Sequence, residues 1–251
     1  MFGYGPAQAA RRTHGLCLMG IDPPTTADLL DAQPALYARW DPRYAANAFA
    51  DSAGTVPVGA PGDAVRRLAD VGPHGSLPLS NATTARAPLW REGAVQFDGV
   101  DDRLAGTFAA PKPALADIAM LFRSTDNDGV LLADSLAFKL VGIFTQNSGS
   151  ASAGLSAGSP QIVIDSVPFA GTRGQLFSAV ADGVAHRIEL RQIDVQSWAG
   201  IAFGLTPFND TLQVAGRIVP LAMLDAGHAQ IAAARDAARA YAQEVLDDIF
   251  G

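Results

Sequence analysis

Short apolar stretches recur at close spacing through the second half of the chain. Each is cut off by Gly, Pro, Asn, Asp or Ser, and no helical period intervenes before residue 225. Residues 117–123, 129–133, 137–145, 161–167, 175–180, 184–191 and 214–224 all read as strands. Across 184–191, Val184, His186, Ile188 and Leu190 alternate with Ala185, Arg187, Glu189 and Arg191, the period-2 pattern of a strand with one face on a core. Strands joined by turns rather than by helical crossovers give a sandwich or barrel, not an α/β layer. Pro220 lacks the N–H that a ladder uses, which puts it at an edge or a bulge.

Residues 91–104 make a corner. Val95 and Phe97 alternate with Gln96 and Asp98, Gly99 allows a sharp turn, and Arg103 and Leu104 resume the alternation through Phe108. The carboxylates of Asp98 and Asp101 are suited to accept backbone N–H bonds across the turn. Earlier strands are expected at 35–41, 64–70 and 75–80, with a long Asp-, Ser-, Gly- and Pro-rich connection over 42–62. Residues 1–33 are punctuated by Gly and Pro and read as an arm, held by a partner surface. After residue 224 the period changes to that of a helix. Asp225 is the expected N-cap, and Ile231, Ala234, Ala238, Tyr241, Val245 and Ile249 form one stripe of a helix roughly 35 Å long. The expected organisation is an arm (1–33), an all-β sandwich (34–224) and an outer amphipathic helix (225–251).

The motif Phe97-Asp98-Gly99-Val100-Asp101-Asp102, set between strands, resembles the concanavalin A-like (laminin-G-like) jelly rolls of phage and prophage structural proteins. Two further features are similar to that family. One is a strand at 35–41, the loop Asp51-Ser52-Ala53-Gly54-Thr55-Val56-Pro57-Val58 and a strand at 64–70. The other is Gly216-Arg217-Ile218-x-x-Leu221 followed by a helix. The likeness spans about residues 35–245. It implies a jelly roll used as a head spike, head fibre or tail-fibre component of a phage or phage-like particle. Such a protein would be made in the bacterial cytoplasm and exposed on the particle surface. Its implied partners are other particle proteins, through the arm, a host cell-surface polysaccharide, and further copies of itself.

Charge and composition narrow the rest. A formal net charge of -7 with only two lysines, Lys112 and Lys139, argues against nucleic acid, which needs a cationic face. Cys17 is alone, so no intrachain disulfide forms. Arg11-Arg12 before residues 16–21 superficially matches a twin-arginine signal, but the apolar run falls short of the roughly 7–15 residues of an h-region. No window approaches the ~20 apolar residues of a membrane span, so no membrane insertion is expected.

Catalytic patterns are weak. Gly154-Leu155-Ser156-Ala157-Gly158 fits G-x-S-x-G but sits in a Ser/Gly/Ala loop before Pro160 and a strand, not between strand and helix. The glutamates, Glu92, Glu189 and Glu244, are isolated, and the pairs Asp98/Asp101 and Asp126/Asp128 read as turn residues rather than as a hydrolase pair. His14, His74, His186 and His228 lack metal-ligand spacing, and His186 reads as a core-face histidine with a hydrogen-bond partner. Asn81-Ala82-Thr83 and Asn209-Asp210-Thr211 are formal glycosylation sequons without meaning unless the chain is secreted.

A non-enzymatic reading follows, with no cofactor except a possible calcium ion at the acidic turn Asp126–Asp128. Trp40, Trp90 and Trp198 raise the question of sugar stacking; core packing is the ordinary role, and Trp198, in a polar stretch, is the best exception. The expected glycan-binding rim is Asp126, Asn127, Asp128, Asn147, Trp198, Asn209 and Asp210, since loops cluster at the ends of a sandwich. The alternatives are a purely architectural cap or base protein and, third, a polysaccharide-degrading enzyme.

Overall fold

The structure, a computed structural model, describes residues 23–126, 129–135, 140–143, 160–206 and 209–251. Its strands are β1 (Leu36–Arg39), β2 (Ala48–Phe49), β3 (Arg67–Leu68), β4 (Leu79–Ser80), β5 (Leu89–Arg91), β6 (Ala94–Asp98), β7 (Leu104–Thr107) and β8 (Leu115–Arg123). They continue as β9 (Gly129–Asp134), β10 (Leu140–Ile143), β11 (Gln161–Ile164), β12 (Val167–Phe169), β13 (Ala185–Asp194), β14 (Gly200–Thr206), β15 (Asn209–Gln213) and β16 (Ala215–Asp225). Among the described residues three α-helices accompany them: α1 (Thr26–Asp31), α2 (Arg173–Val180) and α3 (Ile231–Phe250).

Every pairing is antiparallel. One sheet runs β12-β11-β13-β8-β16-β6-β5, with β1 also on β16, and the other runs β10-β9-β14-β7-β4-β3-β2, with β15 on β14. The first strand of the fold thus pairs with the last, Leu36 opposite Leu224. The inner faces enclose the main core, which includes Trp40, Phe97, Phe122, Trp198 and Phe203. A second apolar cluster lies on the outside of the first sheet, where Leu121, Val219 and Leu221 meet Leu30 of α1 and the α3 stripe Ala234, Ala238, Tyr241 and Val245. The small residues of that stripe let the helix lie close on the sheet. Because both their faces are covered, β8 and β16 are buried almost continuously from Ala116 to Phe122 and from Ile218 to Leu224.

The 99–103 corner carries the chain from β6 in one sheet to β7 in the other. Asp98 Oδ1 accepts the N–H groups of Val100 (2.7 Å) and Asp101 (3.3 Å), and Asp102 Oδ2 accepts that of Asp98 (2.9 Å). Gly99 has φ 77°, and a Cβ there would lie 2.8 Å from Ala215 Cβ, so the turn requires glycine. Pro220 sits where the β16–β8 register shifts, at a bulge in a central strand.

Several expectations are corrected. The arm does not extend to residue 33: Thr25 and Asp28 form a reciprocal capping box, and α1 then buries Leu30 completely against the second cluster. Residues 1–22 lie outside the described residues. Residues 175–180 belong to α2, because Thr172 Oγ1 accepts from Gln175 N–H (3.2 Å) while Gln175 Oε1 accepts from Thr172 N–H (2.8 Å), another capping box. Residues 161–167 are two strands: Asp165 and Ser166, at φ 49° and 74°, make the two-residue turn between β11 and β12. Asp225 ends β16, and α3 begins only at Ile231. The stripe itself is as expected.

Candidate functional site

The end of α3 forms a cleft of about 220 Å³ with the edge of the first sheet, lined by Arg43, Tyr44, Trp90, Glu92, Gly93, Asp248 and Ile249. Each member is placed by an adjoining element. Tyr44 follows β1 on the long connection, and 57% of it is exposed. Trp90 lies on β5, an outer strand, and its Nε1–H donates to Pro42 O at 2.9 Å, which fixes the indole. Glu92 and Gly93, at φ 51° and 85°, form the two-residue turn to β6. The last turn of α3 supplies Asp248 and Ile249.

Arg43 anchors the cleft. Its guanidinium makes a bidentate pair with buried Asp41 (2.9 and 2.8 Å) and reaches Glu244 (2.9 Å) and Asp248 (2.5 Å). It also lies over the rings of Tyr44 (5.6 Å) and Tyr241 (5.4 Å). Burial works against its charge, but hydrogen bonds to Asp41 and Glu244 prevail and hold its pKa above the usual arginine value. Three carboxylates thus share one guanidinium. The last turn of α3 contains no basic residue to offset the negative pole of the helix. Glu92, on the other wall, pairs with Arg217 at 3.3 Å. The cleft therefore combines aromatic surface with hydrogen-bond acceptors in a negative field.

The rim expected from the sequence is not assembled among the described residues. Trp198 is only 1% exposed and packs in the main core, and no sugar can stack on it. A turn closed by Trp198 N–H donating to Val195 O (3.0 Å) points the ring inward, a consequence of backbone geometry that its polar neighbours conceal. Asn209 and Asp210 open strand β15. Asp126 is partly buried beside β8, its N–H donating to Ser124 Oγ at 2.8 Å. Asn127, Asp128, Asn147 and the 154–158 motif lie outside the described residues. Trp40 is buried, with Nε1–H donating to Leu77 O, and Trp90 is the tryptophan that borders a cleft. Tyr44 carried no sequence signal beyond its aromatic ring in a polar loop.

Other titratable groups have local duties. Among the described residues, Asp98, Asp101 and Asp102 form a group with ligand atoms within 4.8 Å of one another, at the corner; the expected Asp126–Asp128 turn lies partly outside the described residues. Burial, helped by the charges of Asp98 and Asp101, pushes the Asp102 carboxyl up to about 6. His186 lies between Asp165 (2.7 Å) and Asp182 (3.1 Å). Burial opposes its protonation, but those two carboxylates raise its pKa above the usual histidine value. Asn81 is buried; its side-chain amide donates to Arg103 O at 2.8 Å, and its Oδ1 accepts from Thr83 N–H at 2.9 Å.

Compared with known proteins, the chain matches no family model, no curated protein and no solved structure. Among the described residues, no helix is long and apolar enough to cross a membrane.

Proposed function

We propose that this chain is a non-catalytic surface module of a phage or phage-like particle, a jelly roll that binds host glycan through the Tyr44–Trp90 cleft. The observation that carries the reading is the pairing of an exposed tyrosine and a bordering tryptophan with the carboxylates of Glu92 and Asp248. A pyranose offers apolar C–H faces to an aromatic ring and a belt of hydroxyls to acceptors, and this cleft supplies both. The antiparallel two-sheet architecture, the corner motif and the closing strand–helix unit fit the family resemblance. In this reading the residues before Pro23 attach the module to other particle proteins, and the particle displays several copies.

The test is binding of the isolated protein to host capsule or lipopolysaccharide. Tyr44→Ala and Trp90→Ala, each checked for unchanged circular dichroism, are expected to weaken binding about five- to tenfold. No binding by the parent protein, or full binding by both variants, would favour an architectural cap or base without glycan recognition.

A further inference from the structure

Two carboxylates on the Tyr44–Trp90 cleft have acceptor capacity to spare. Asp248 Oδ2 accepts Arg43 Nη1–H at 2.5 Å, and Glu92 Oε2 accepts Arg217 Nη1–H at 3.3 Å. Asp248 Oδ1 and Glu92 Oε1 accept no hydrogen bond among the described residues. Their side chains are 56% and 69% exposed, so both carboxylates are open to a ligand. Negative charge is in surplus around them. Asp41, Glu92, Glu244 and Asp248 stand against the guanidiniums of Arg43 and Arg217. Arg39, 3.9 Å from Asp41, brings its own partner Asp31 and leaves that surplus unchanged. Arg91, on the same strand as Trp90, does not line the cleft.

Aromatic faces beside free carboxylate oxygens suit a guanidinium, which stacks flat on a ring and forks onto a carboxylate. The space of about 220 Å³ holds about seven waters at roughly 30 Å³ each, about as many heavy atoms as an arginine side chain has.

Such a side chain is tethered close by. Thr26 Oγ1 donates to Glu244 Oε2, and Glu244 Oε1 accepts Arg43 Nη1–H at 2.9 Å, so α1 starts one side chain from the cleft wall. The sequence before α1 contains Arg11-Arg12, and over residues 1–22 Asp22 is the only carboxylate. From Arg12 to Pro23 an extended chain spans up to roughly 35 Å, ample for the distance.

We propose that this cleft binds an arginine side chain, and that its occupant is one arginine of the Arg11-Arg12 pair of the same chain. The assignment does not rest on the glycan reading; it makes residues 1–22 a competitor for the same cleft. A tether of this kind supplies an effective concentration on the order of millimolar, enough to populate a weak side-chain contact.

The experiment is acrylamide quenching of tryptophan fluorescence in the full chain at low salt, with no polysaccharide present. Trp40 and Trp198 are 0% and 1% exposed, so the neutral quencher reads Trp90. Arg11→Gln/Arg12→Gln is expected to raise the quenching constant about twofold, as for a cleft half occupied at a millimolar effective concentration. Arg11→Lys/Arg12→Lys keeps the charge but loses the fork and falls in between, while Gln8→Ala changes nothing. Glu92→Gln/Asp248→Asn is expected to match the glutamine pair, and combining all four substitutions adds nothing further. If the Glu92/Asp248 variant fails to fold, Glu92→Gln alone is read in its place. Protection of Trp90 in the parent chain is expected to survive about hundredfold dilution, as an intramolecular contact must. Equal quenching of the parent chain and the glutamine pair, or full protection in the carboxylate variants, would overturn the assignment. So would protection lost on dilution, which gives the cleft to a second copy. Glycan takes no part, so this readout and the capsule-binding test fail independently.

Discussion

Replacing Asp102 by Asn should stabilise this protein, by an amount that grows as pH rises from the unfolded titration of the carboxyl through its native one and is full above that. The carboxyl is 94% buried, within 4.8 Å of the ligand atoms of Asp98 and Asp101, and its proton is held up to about pH 6 against an ordinary value of 3.8. The native state therefore binds this proton more tightly than the unfolded chain does. Its contribution to stability is present below pH 4, declines as pH rises toward 6, and leaves an ionised, disfavoured carboxylate above that. That difference in titration corresponds to an upper limit of roughly 3 kcal/mol. Asn keeps an oxygen for the Asp98 N–H and presents an amide donor to the neighbouring carboxylates without ionising. Allowing for relaxation and residual solvent, the expected gain is about 1–2 kcal/mol at pH 8 and close to zero at about pH 3. Urea unfolding followed by tryptophan fluorescence, with chelator present, measures it. A variant less stable than the parent at pH 8, or one shifted equally at both pH values, would refute the reasoning. Parallel runs in calcium chloride distinguish a proton at the corner from a cation: stabilisation of the parent by calcium, lost in Asp102→Asn, would also overturn it.

Other perturbations probe the helix, the sandwich and the histidine. Tyr241→Phe removes the hydroxyl that donates to Trp40 O at 3.1 Å in a fully buried site; a loss of about 1–3 kcal/mol is expected in the same unfolding assay. Trp198→Ala should cost about 3–5 kcal/mol as a core truncation, seen as a lowered melting temperature, in contrast to the exposed Tyr44→Ala. Gly204→Ala should prevent soluble expression or proper folding, since φ is 92° and the added Cβ would lie 2.3 Å from the Phe97 ring. Asp165→Asn removes a hydrogen-bond partner and negative charge from His186, so its pKa should fall when followed by NMR. The stability that His186 contributes is full below about pH 6.5 and lost as pH rises through its higher native value, and the variant should lose it earlier.

Legibility in the sequence followed the range of the forces involved. Strand alternation in β13, the capping-free apolar runs of β8 and β16, the Asp98–Gly99 corner, the bulge at Pro220 and the α3 stripe are local patterns, set by backbone sterics and side-chain period. They were readable without tertiary structure. The capping boxes at Thr25–Asp28 and Thr172–Gln175 are just as local, yet Gly/Pro punctuation in one case and β-propensity in the other pointed to an arm and a strand instead.

Tertiary structure decided the rest. That the outward Glu189 becomes buried depends on α3 crossing the sheet fifty residues later, and its charge is tolerated because Arg191 and Arg239 meet it there. Polar neighbours suggested an exposed Trp198, yet one turn aims its ring into the core. The Tyr44–Trp90 cleft joins residues 43–44, 90–93 and 248–249, which no local window contains. A periodic pattern specifies which face of an element is apolar. Which distant element covers that face, and which polar groups are brought together in doing so, is settled only when the sheets and helices pack.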